Sequence, residues 1–264
     1  PIRTFKGLPT PLSNPKAQDI DLVLVRENTE GLFYARGRGD VRSVDGVETE
    51  VYDTMKITRH GTARICEFAF KLAERRAATK GRAGRVTNVD KANVFSSMAF
   101  WRKVFEESAA GHTGVTVENA YVDAMALNLV MKPWAYDVLV TENMFGDILS
   151  DLIAALVGGM GMAPSGDIGD KHGLFQPAHG TAPDIAGQGK ANPTAMMLSA
   201  AMMLDWLADR TGDTRLADGA ALIERAVEHI FANGIVRPME FGGPHGTADI
   251  TRAVVGALQT TVAA

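Results

Sequence analysis

Asp147 and Asp151 stand four residues apart in Asn143-Met144-Phe145-Gly146-Asp147-Ile148-Leu149-Ser150-Asp151, shortly after the apolar run Val138 to Val140. On a helix that spacing puts both carboxylates on one face, where exposed like charges repel by about 0.2–0.5 kcal/mol. The repulsion is relieved if a cation sits between them. A hard, oxygen-seeking ion such as Mg²⁺ or Mn²⁺ takes one or two protein carboxylates and keeps positions for substrate oxygens. Both aspartates would equally suit a helix N-terminus, whose macrodipole favours negative charge, and the segment alone leaves the two readings open.

Four further stretches put reactive side chains in unusual company. Arg26 ends the apolar run from Leu22 in Val25-Arg26-Glu27-Asn28-Thr29-Glu30-Gly31. Its rigid fork of donors suits bidentate capture of a carboxylate, or a structural ion pair with Glu27 or Glu30. Lys91 follows another run in Val89-Asp90-Lys91-Ala92-Asn93-Val94, with the polar Asn93 close by. A lysine held out of water there can act as a base, whereas a solvated one is only surface charge. Asp123 in Tyr121-Val122-Asp123-Ala124-Met125 lies just inside a helix, as a cap or as a third metal ligand. The stretch His179-Gly180-Thr181-Ala182-Pro183-Asp184-Ile185-Ala186-Gly187 is neither the GxGxxG fingerprint nor a Walker loop, and alone it reads as an ordinary loop.

These residues need a scaffold, and the chain alternates strands with helices. Leu22 to Val25 is a continuous apolar run of the kind buried on both faces. A strand at Arg85 to Val89 precedes a helix through Met98, Trp101 and Phe105, and a strand at Val115 to Val117 precedes a helix from Tyr121 to Val130. A strand at Val138 to Val140 then leads into the aspartate helix, so the fold class is α/β. Thr58 caps a helix with the stripe Ile65, Phe68, Ala69 and Leu72. Asp45-Gly46 is a hairpin signal between Val41 and Val51, and the charged stretch 36–53 has so little apolar surface that it is expected to lie on another chain.

Residues 1 to 18 read as an extended entry segment, and Gly158-Gly159 closes the aspartate helix and marks a domain boundary. The expected division is a small α/β domain, 6–157, and a part of a larger domain made of 1–5 with 158–264. A loop-rich stretch to residue 191 precedes a helix capped by Asn192 with Pro193 at its first position. A further helix spans Leu216 to Asn233, and a last one follows Thr247. Met196, Met197, Met202 and Met203 read as a soft helix-packing face.

Composition narrows the function classes. With 264 residues and 46% hydrophobic content the chain can build a sizeable core. A net charge of −4 argues against nucleic-acid binding through a basic face, so small anionic ligands must be met by local arginines and metal. No run of about 18 apolar residues suggests a membrane span, and no signal-peptide layout opens the chain. The lone Cys66 excludes an internal disulfide, reads as core, and fits a reducing, cytoplasmic setting.

Taken in order, the five motifs resemble the isocitrate/isopropylmalate dehydrogenase family, the metal-dependent β-decarboxylating dehydrogenases, over nearly the whole chain. The resemblance implies an isopropylmalate dehydrogenase-like two-domain fold whose large, NAD-binding domain has an N-terminal part that this chain, opening at Pro1, lacks. It implies that Arg26 and Asn93 bind substrate, that Lys91 transfers a proton at the hydroxyl with help from Asp123, and that Asp123, Asp147 and Asp151 hold Mg²⁺ or Mn²⁺. His179, Gly180, Thr181, Ala182, Asp184, Ile185, Ala191 and Asn192 would hold the adenosine half of a dinucleotide. Asp184 would accept hydrogen bonds from a free ribose 2′-OH and repel a 2′-phosphate, and Ile185 and Ala191 match the NAD-using members, so NAD is the expected cofactor.

Two departures from the family pattern stand out. The family carries a tyrosine seven residues after the arginine to protonate carbon once CO₂ has left, and in strict register that position is Phe33. Phe33-Tyr34-Ala35 resembles relatives with Phe-Tyr-Ala directly after Glu-Gly, which makes Tyr34 the expected acid through a one-residue insertion around Leu32. Pro9-Thr10-Pro11-Leu12 stands where many members have a second substrate arginine and looks like the D-malate and tartrate branch. The implied activity is NAD-dependent oxidative decarboxylation of a 2-hydroxy acid bearing a 3-carboxylate, of the 3-isopropylmalate or isocitrate type. The alternatives are D-malate/tartrate dehydrogenase and a non-catalytic regulatory subunit of an NAD-isocitrate dehydrogenase; retention of Lys91 and the three aspartates argues against the latter. In the family the lysine and the first aspartate come from the partner chain, so a homodimer with shared active sites is expected.

Overall fold

The computed structural model describes residues 1–262, with side chains through Thr260. In chain order the elements are β1 (Ile2–Arg3), β2 (Asp21–Arg26), β3 (Asp40–Val44), β4 (Val47–Tyr52), α1 (Arg59–Lys80), β5 (Gly84–Asp90), α2 (Ser96–Ala109), β6 (Val115–Tyr121), α3 (Val122–Met131), β7 (Val138–Thr141), α4 (Asn143–Leu156), β8 (Pro164–Ile168), β9 (Gly173–Pro177), α5 (Thr194–Thr211), α6 (Thr214–Ala232) and α7 (Thr247–Val262), joined by short 3₁₀ turns. The chain divides into two compact units, Leu22–Leu152 and Pro1–Asp21 with the chain from Ile153 onward.

In the Leu22–Leu152 unit, β2, β7, β5 and β6 lie side by side in that order and run parallel. Val23, Val25, Val86, Val115, Val138 and Val140 turn one face of the sheet to Met98, Trp101 and Phe105 of α2 and to α1. The α1 stripe sits one residue round from the expected one: Cys66, Ala69, Phe70 and Ala73 are buried with Ile65, while Phe68 and Leu72 only border the core. Three small residues let α1 close on β5, so near that a Cβ at Gly84 would lie 2.7 Å from the carbonyl oxygen of Ala73. Phe70, fully buried, stacks on Phe105 of α2 with ring centroids 5.4 Å apart. Burial pushes the Cys66 thiol up to about 12, which suits a packing residue and not a nucleophile.

The caps follow the sequence. Thr58 Oγ1 accepts the N–H of Gly61 at 3.1 Å, and Gly81 ends α1 in the left-handed region at φ 62°. The β3–β4 hairpin turns through Asp45 and Gly46 at φ 51° and 77°, the pair of positive angles a two-residue hairpin needs. Every residue of both strands is exposed, including Val41, Val44, Val47 and Val51.

In the other unit, α5, α6 and α7 pack in succession, with the β8–β9 hairpin against α5. Residues 6–21 lie with this unit, where the expected domain limits put them in the first. Phe5 meets Phe231 edge-on at 5.8 Å, and Gly7, at φ 94°, allows a backbone approach that any Cβ would block against the Phe231 carbonyl. The second division falls inside α4, between Leu152 and Ile153, not at Gly158. The stretch read as loop contains β8 and β9, whose prolines and glycines conceal them. Ser199 holds the ladder by accepting the N–H of Ser165 at 3.2 Å and donating to the Gln176 carbonyl at 2.8 Å. The buried face of α5 is Thr194, Ala195, Leu198, Ser199 and Ala201; Met196 and Met203, expected to pack, are exposed because these smaller residues make the contact. Among the described residues no helix is long and apolar enough to cross a membrane.

Candidate active site

Arg26, Lys91, Asp123 and Asp147 all stand at or just beyond the carboxyl ends of the parallel strands, the edge at which open α/β sheets bind ligands. They form two ion pairs. At the β2/β7 end, Arg26 Nη1 donates to Asp147 Oδ1 at 2.5 Å, while its Nε and Nη2 converge on Asn143 Oδ1 at 3.0 and 2.8 Å. Asn143, Asp147 and Asp151 follow one another at four-residue steps along α4, so Asn143 was legible in that spacing although only the aspartates suggested chemistry. Gly146 makes room for the guanidinium stem, since a Cβ there would lie 2.5 Å from Arg26 Cγ.

Neither neighbouring glutamate takes Arg26. Glu27, 2% exposed, accepts from Thr29 and faces Arg64 at 3.4 Å. Glu30 accepts the Thr58 N–H at 2.6 Å and bonds its hydroxyl. Glu142, fully buried, accepts the N–H groups of Met144 and Phe145 at 3.1 and 2.7 Å and so anchors the start of α4.

At the β5/β6 end, Lys91 Nζ donates to Asp123 Oδ1 at 2.5 Å. The lysine side chain is 22% exposed and the aspartate 67%. That hydrogen bond, reinforced by backbone N–H groups at the start of α3, holds the Asp123 carboxyl below the usual carboxylate range. Asn93 is exposed on the turn after Lys91. Asp90, directly before Lys91, is fully buried and bound bidentately by Arg102 at 2.8 and 2.7 Å. Sequence reasoning overlooked Arg102; the signal was a carboxylate at the end of a buried strand, which must find a partner.

Tyr34, the expected acid, meets other cations than Arg26: its ring lies 4.5 Å from the Arg38 guanidinium carbon and 4.7 Å from Lys56 Nζ. The Phe33 ring, 42% exposed, is the aromatic group over Arg26, at 5.6 Å.

Among the described residues no three acidic, histidine or cysteine side chains converge as a metal site. Asp123 stays with Lys91 while Asp147 and Asp151 stay on α4, so one chain does not assemble the three-aspartate set. The α4 pair still fits a hard divalent cation in chemistry, being two exposed carboxylates one helical turn apart.

In the other unit, His179 to Ala191 form an open loop. Ala182, Gly187 and Gly189 adopt φ of 44°, 75° and 65°, with a short turn at Pro183–Ile185 between them. Gly180, Thr181, Ala182, Asp184 and Ala191 are exposed, while His179 and Ile185 are half-buried. Gln188 Nε2 donates to the Asp184 carbonyl at 2.7 Å, leaving the carboxylate outside that contact. The loop is tied down at its end, where Thr247 donates its N–H to Gly189 O at 2.8 Å and its hydroxyl to Ala191 O at 2.5 Å. Asn192 is an anchor: it is 7% exposed, its Oδ1 accepts from the N–H and hydroxyl of Thr194, and its Nδ2 donates to Glu240 at 3.0 Å.

One unit is an open parallel sheet with charged pairs at its carboxyl edge, and the other carries a glycine-shaped loop that is not of the GxGxxG kind, which together define an α/β protein. The chain belongs to the isocitrate/isopropylmalate dehydrogenase family, whose model matches residues 1–254. It is 41% identical over 260 residues to the 3-isopropylmalate/3-methylmalate dehydrogenase of Methanocaldococcus jannaschii, covering 96% of this chain and 71% of that protein. It is 42% identical over 263 residues to the isocitrate/homoisocitrate dehydrogenase of Thermus thermophilus, covering 98% and 71%, and 42% identical over 237 residues to the 3-isopropylmalate dehydrogenase of Heyndrickxia coagulans, covering 89% and 61%. The crystal structure of isocitrate dehydrogenase from Methylococcus capsulatus superposes with a TM-score of 0.86 at 37% identity, covering 98% of this chain and 71% of that one.

Proposed function

We propose that the protein oxidises and decarboxylates a 2-hydroxy acid bearing a 3-carboxylate, of the 3-isopropylmalate or isocitrate type, with NAD⁺ and Mg²⁺ or Mn²⁺. The observation that carries this reading is the gathering of a carboxylate-binding arginine, a lysine–aspartate pair and a carboxylate pair along one sheet edge. Relatives named for 3-isopropylmalate/3-methylmalate and for isocitrate/homoisocitrate support the substrate class.

The chain's residues then divide the work. Arg26, steadied by Asn143, forks onto a substrate carboxylate, and Asn93, on the turn after Lys91, offers the substrate a polar contact. Lys91 takes the C2 hydroxyl proton, through Asp123 or a water. Tyr34 returns a proton to C3 after CO₂ departs; Phe33 has none to give. Asp147 and Asp151, with Asp123 of a second copy, would hold the divalent ion, and Asp184 the ribose hydroxyls of NAD⁺. When bound, the ion supplies Lewis-acid polarisation of the substrate oxygen and the nicotinamide accepts hydride.

A homodimer completes the site in this reading. The exposed valines of the β3–β4 hairpin favour a partner, as do Leu127 and Met131 on α3, 64% and 65% exposed, and Ile148 on α4, 59% exposed. The reducing setting suggested by the buried lone thiol makes the cytoplasm the proposed location.

D-malate or tartrate is the second substrate reading. The Thr10 hydroxyl accepts the Leu12 N–H at 3.1 Å, so this turn closes on itself and offers no cation to a third carboxylate. A panel of 2-hydroxy diacids and triacids with NAD⁺ and Mn²⁺, followed by NADH absorbance on the full-length protein, separates the two. Turnover with 3-isopropylmalate or isocitrate supports the first reading, and turnover confined to D-malate or tartrate the second. No turnover with any of them, while NAD⁺ and Mn²⁺ still bind, would overturn both and favour a regulatory subunit.

A further inference from the structure

Asp90, Arg102 and Tyr121 have no part in the chemistry just described, yet they surround Lys91. The Asp90 carboxylate accepts from Arg102 Nε at 2.8 Å, Arg102 Nη2 at 2.7 Å, Asn88 Nδ2 at 2.6 Å and the Ala92 N–H at 2.9 Å. A fully buried carboxylate is tolerated only with such complete pairing, and the pairing raises the Arg102 pKa. Asn88 extends the tie: its Oδ1 accepts Trp101 Nε1 at 2.7 Å, and its Nδ2 also donates to Asn119 on β6 at 2.9 Å. Through Trp101 and Arg102, helix α2 is therefore fastened to the ends of both β5 and β6.

Tyr121 links this tie to the reactive pair. It is the last residue of β6 and precedes α3, so its backbone sets where Asp123 begins that helix. Its ring lies 5.1 Å from the Arg102 guanidinium carbon and 5.8 Å from Lys91 Nζ. Two cations thus share one ring, and the arginine that fixes the strand end also fixes the surface along which the lysine lies. A lysine stem has many rotamers, and the pair at 2.5 Å uses one arrangement.

We infer that Arg102 and Tyr121 are positioning residues that hold the Lys91 amine against Asp123, Arg102 by clamping Asp90 at the root of the lysine turn and Tyr121 by offering its ring to both cations. The inference rests on Lys91 being the proton-transfer group only for its effect on turnover; the clamp itself is read from amine reactivity.

The test compares wild-type full-length protein with Tyr121→Leu, which leaves the buried Asp90–Arg102 pair intact. Reductive methylation of Lys91, followed by peptide mass spectrometry without substrate, should quicken several-fold relative to the other lysines. With substrate, kcat should fall by about 10–100-fold while KM for NAD⁺ stays within about twofold, as misplacement of a reacting group predicts. Asp90→Asn/Arg102→Gln, which keeps a neutral hydrogen bond in place of the buried ion pair, should do the same and decides the matter if Tyr121→Leu does not fold. Unchanged Lys91 labelling and kcat in a folded variant would overturn the inference. Lys91→Ala is the control: if it leaves turnover intact, the proton-transfer reading fails, whereas faster labelling in Tyr121→Leu still supports the clamp.

Discussion

The sheet edge and the 179–191 loop reach their shapes by opposite means. At the edge each cationic side chain is gripped by another: Arg26 by Asn143 and Asp147, Lys91 by Asp123, with the buried Glu142 and Asp90 fastening the backbone beneath them. Along the loop most side chains are exposed, and form comes from left-handed backbone at Ala182, Gly187 and Gly189 and from the Thr247 tether. Groups that move protons or hold a carboxylate in register need preset geometry, since small misplacement costs rate. In the proposed reading the loop would embrace a nucleoside, a task that backbone contour and one well-placed carboxylate can serve.

If that contrast holds, substitutions at the edge cost turnover and those in the loop shift choice of cofactor. The largest effect is expected from Lys91→Ala, which should lower kcat by about 10²–10⁴-fold, the usual worth of a general base, with thermal unfolding little altered. Steady-state kinetics beside a melting curve checks this; near-normal kcat would remove Lys91 from the chemistry.

Gly146→Ala sharpens the same side. In most helices alanine is more favourable than glycine, but here the new Cβ would press into Arg26 Cγ. The arginine must move, so KM for the acid substrate should rise about tenfold or more with the helix intact by circular dichroism. An unchanged KM would mean that Arg26 does not bind substrate. On the loop side, Asp184→Lys should weaken NAD⁺ and improve relative use of NADP⁺, with a change of about tenfold or more in the ratio of kcat/KM values. A constant ratio would place the ribose elsewhere.

The smallest effect lies away from both regions and serves as a reference for stability alone. His112 stacks on Phe70 at 4.8 Å between Glu67 and Glu74, whose hydrogen bonds raise its pKa above the ordinary value. A raised folded pKa means that the stabilisation is complete below the unfolded value of about 6.5 and disappears as pH rises through the higher folded value. The Tm advantage of wild type over His112→Asn should therefore shrink as pH rises from about 6 to 9, by at most a few degrees. A pH-independent difference would contradict the assignment.

Much of the edge was legible because it depends on order along the chain. Apolar runs announced the strands, and the four-residue step announced Asp147 and Asp151. What could not be read was which side chain meets which across elements. Glu27 and Glu30 are Arg26's neighbours in sequence, but folding gives them to Arg64 and Thr58 and brings Asn143 and Asp147 across from α4. Arg102 reaches Asp90 from one helix to the preceding strand, a link with no local pattern. The β8–β9 hairpin was hidden for a different reason: its ladder is sustained by Ser199 and by Phe175 against Trp206, so its own strand propensity could be poor.

In the proposed homodimer the two ion pairs of one chain belong to two different active sites. Co-expressing full-length Lys91→Ala and Asp147→Asn chains tests it directly, because in a mixed dimer one site collects both lesions and the other collects neither. Isolated heterodimers should recover up to about half of the wild-type rate, one working site in two, although each parent homodimer is inactive. Heterodimers as inactive as their parents, while folded and dimeric, would contradict the claim and return Lys91 to the site of its own chain.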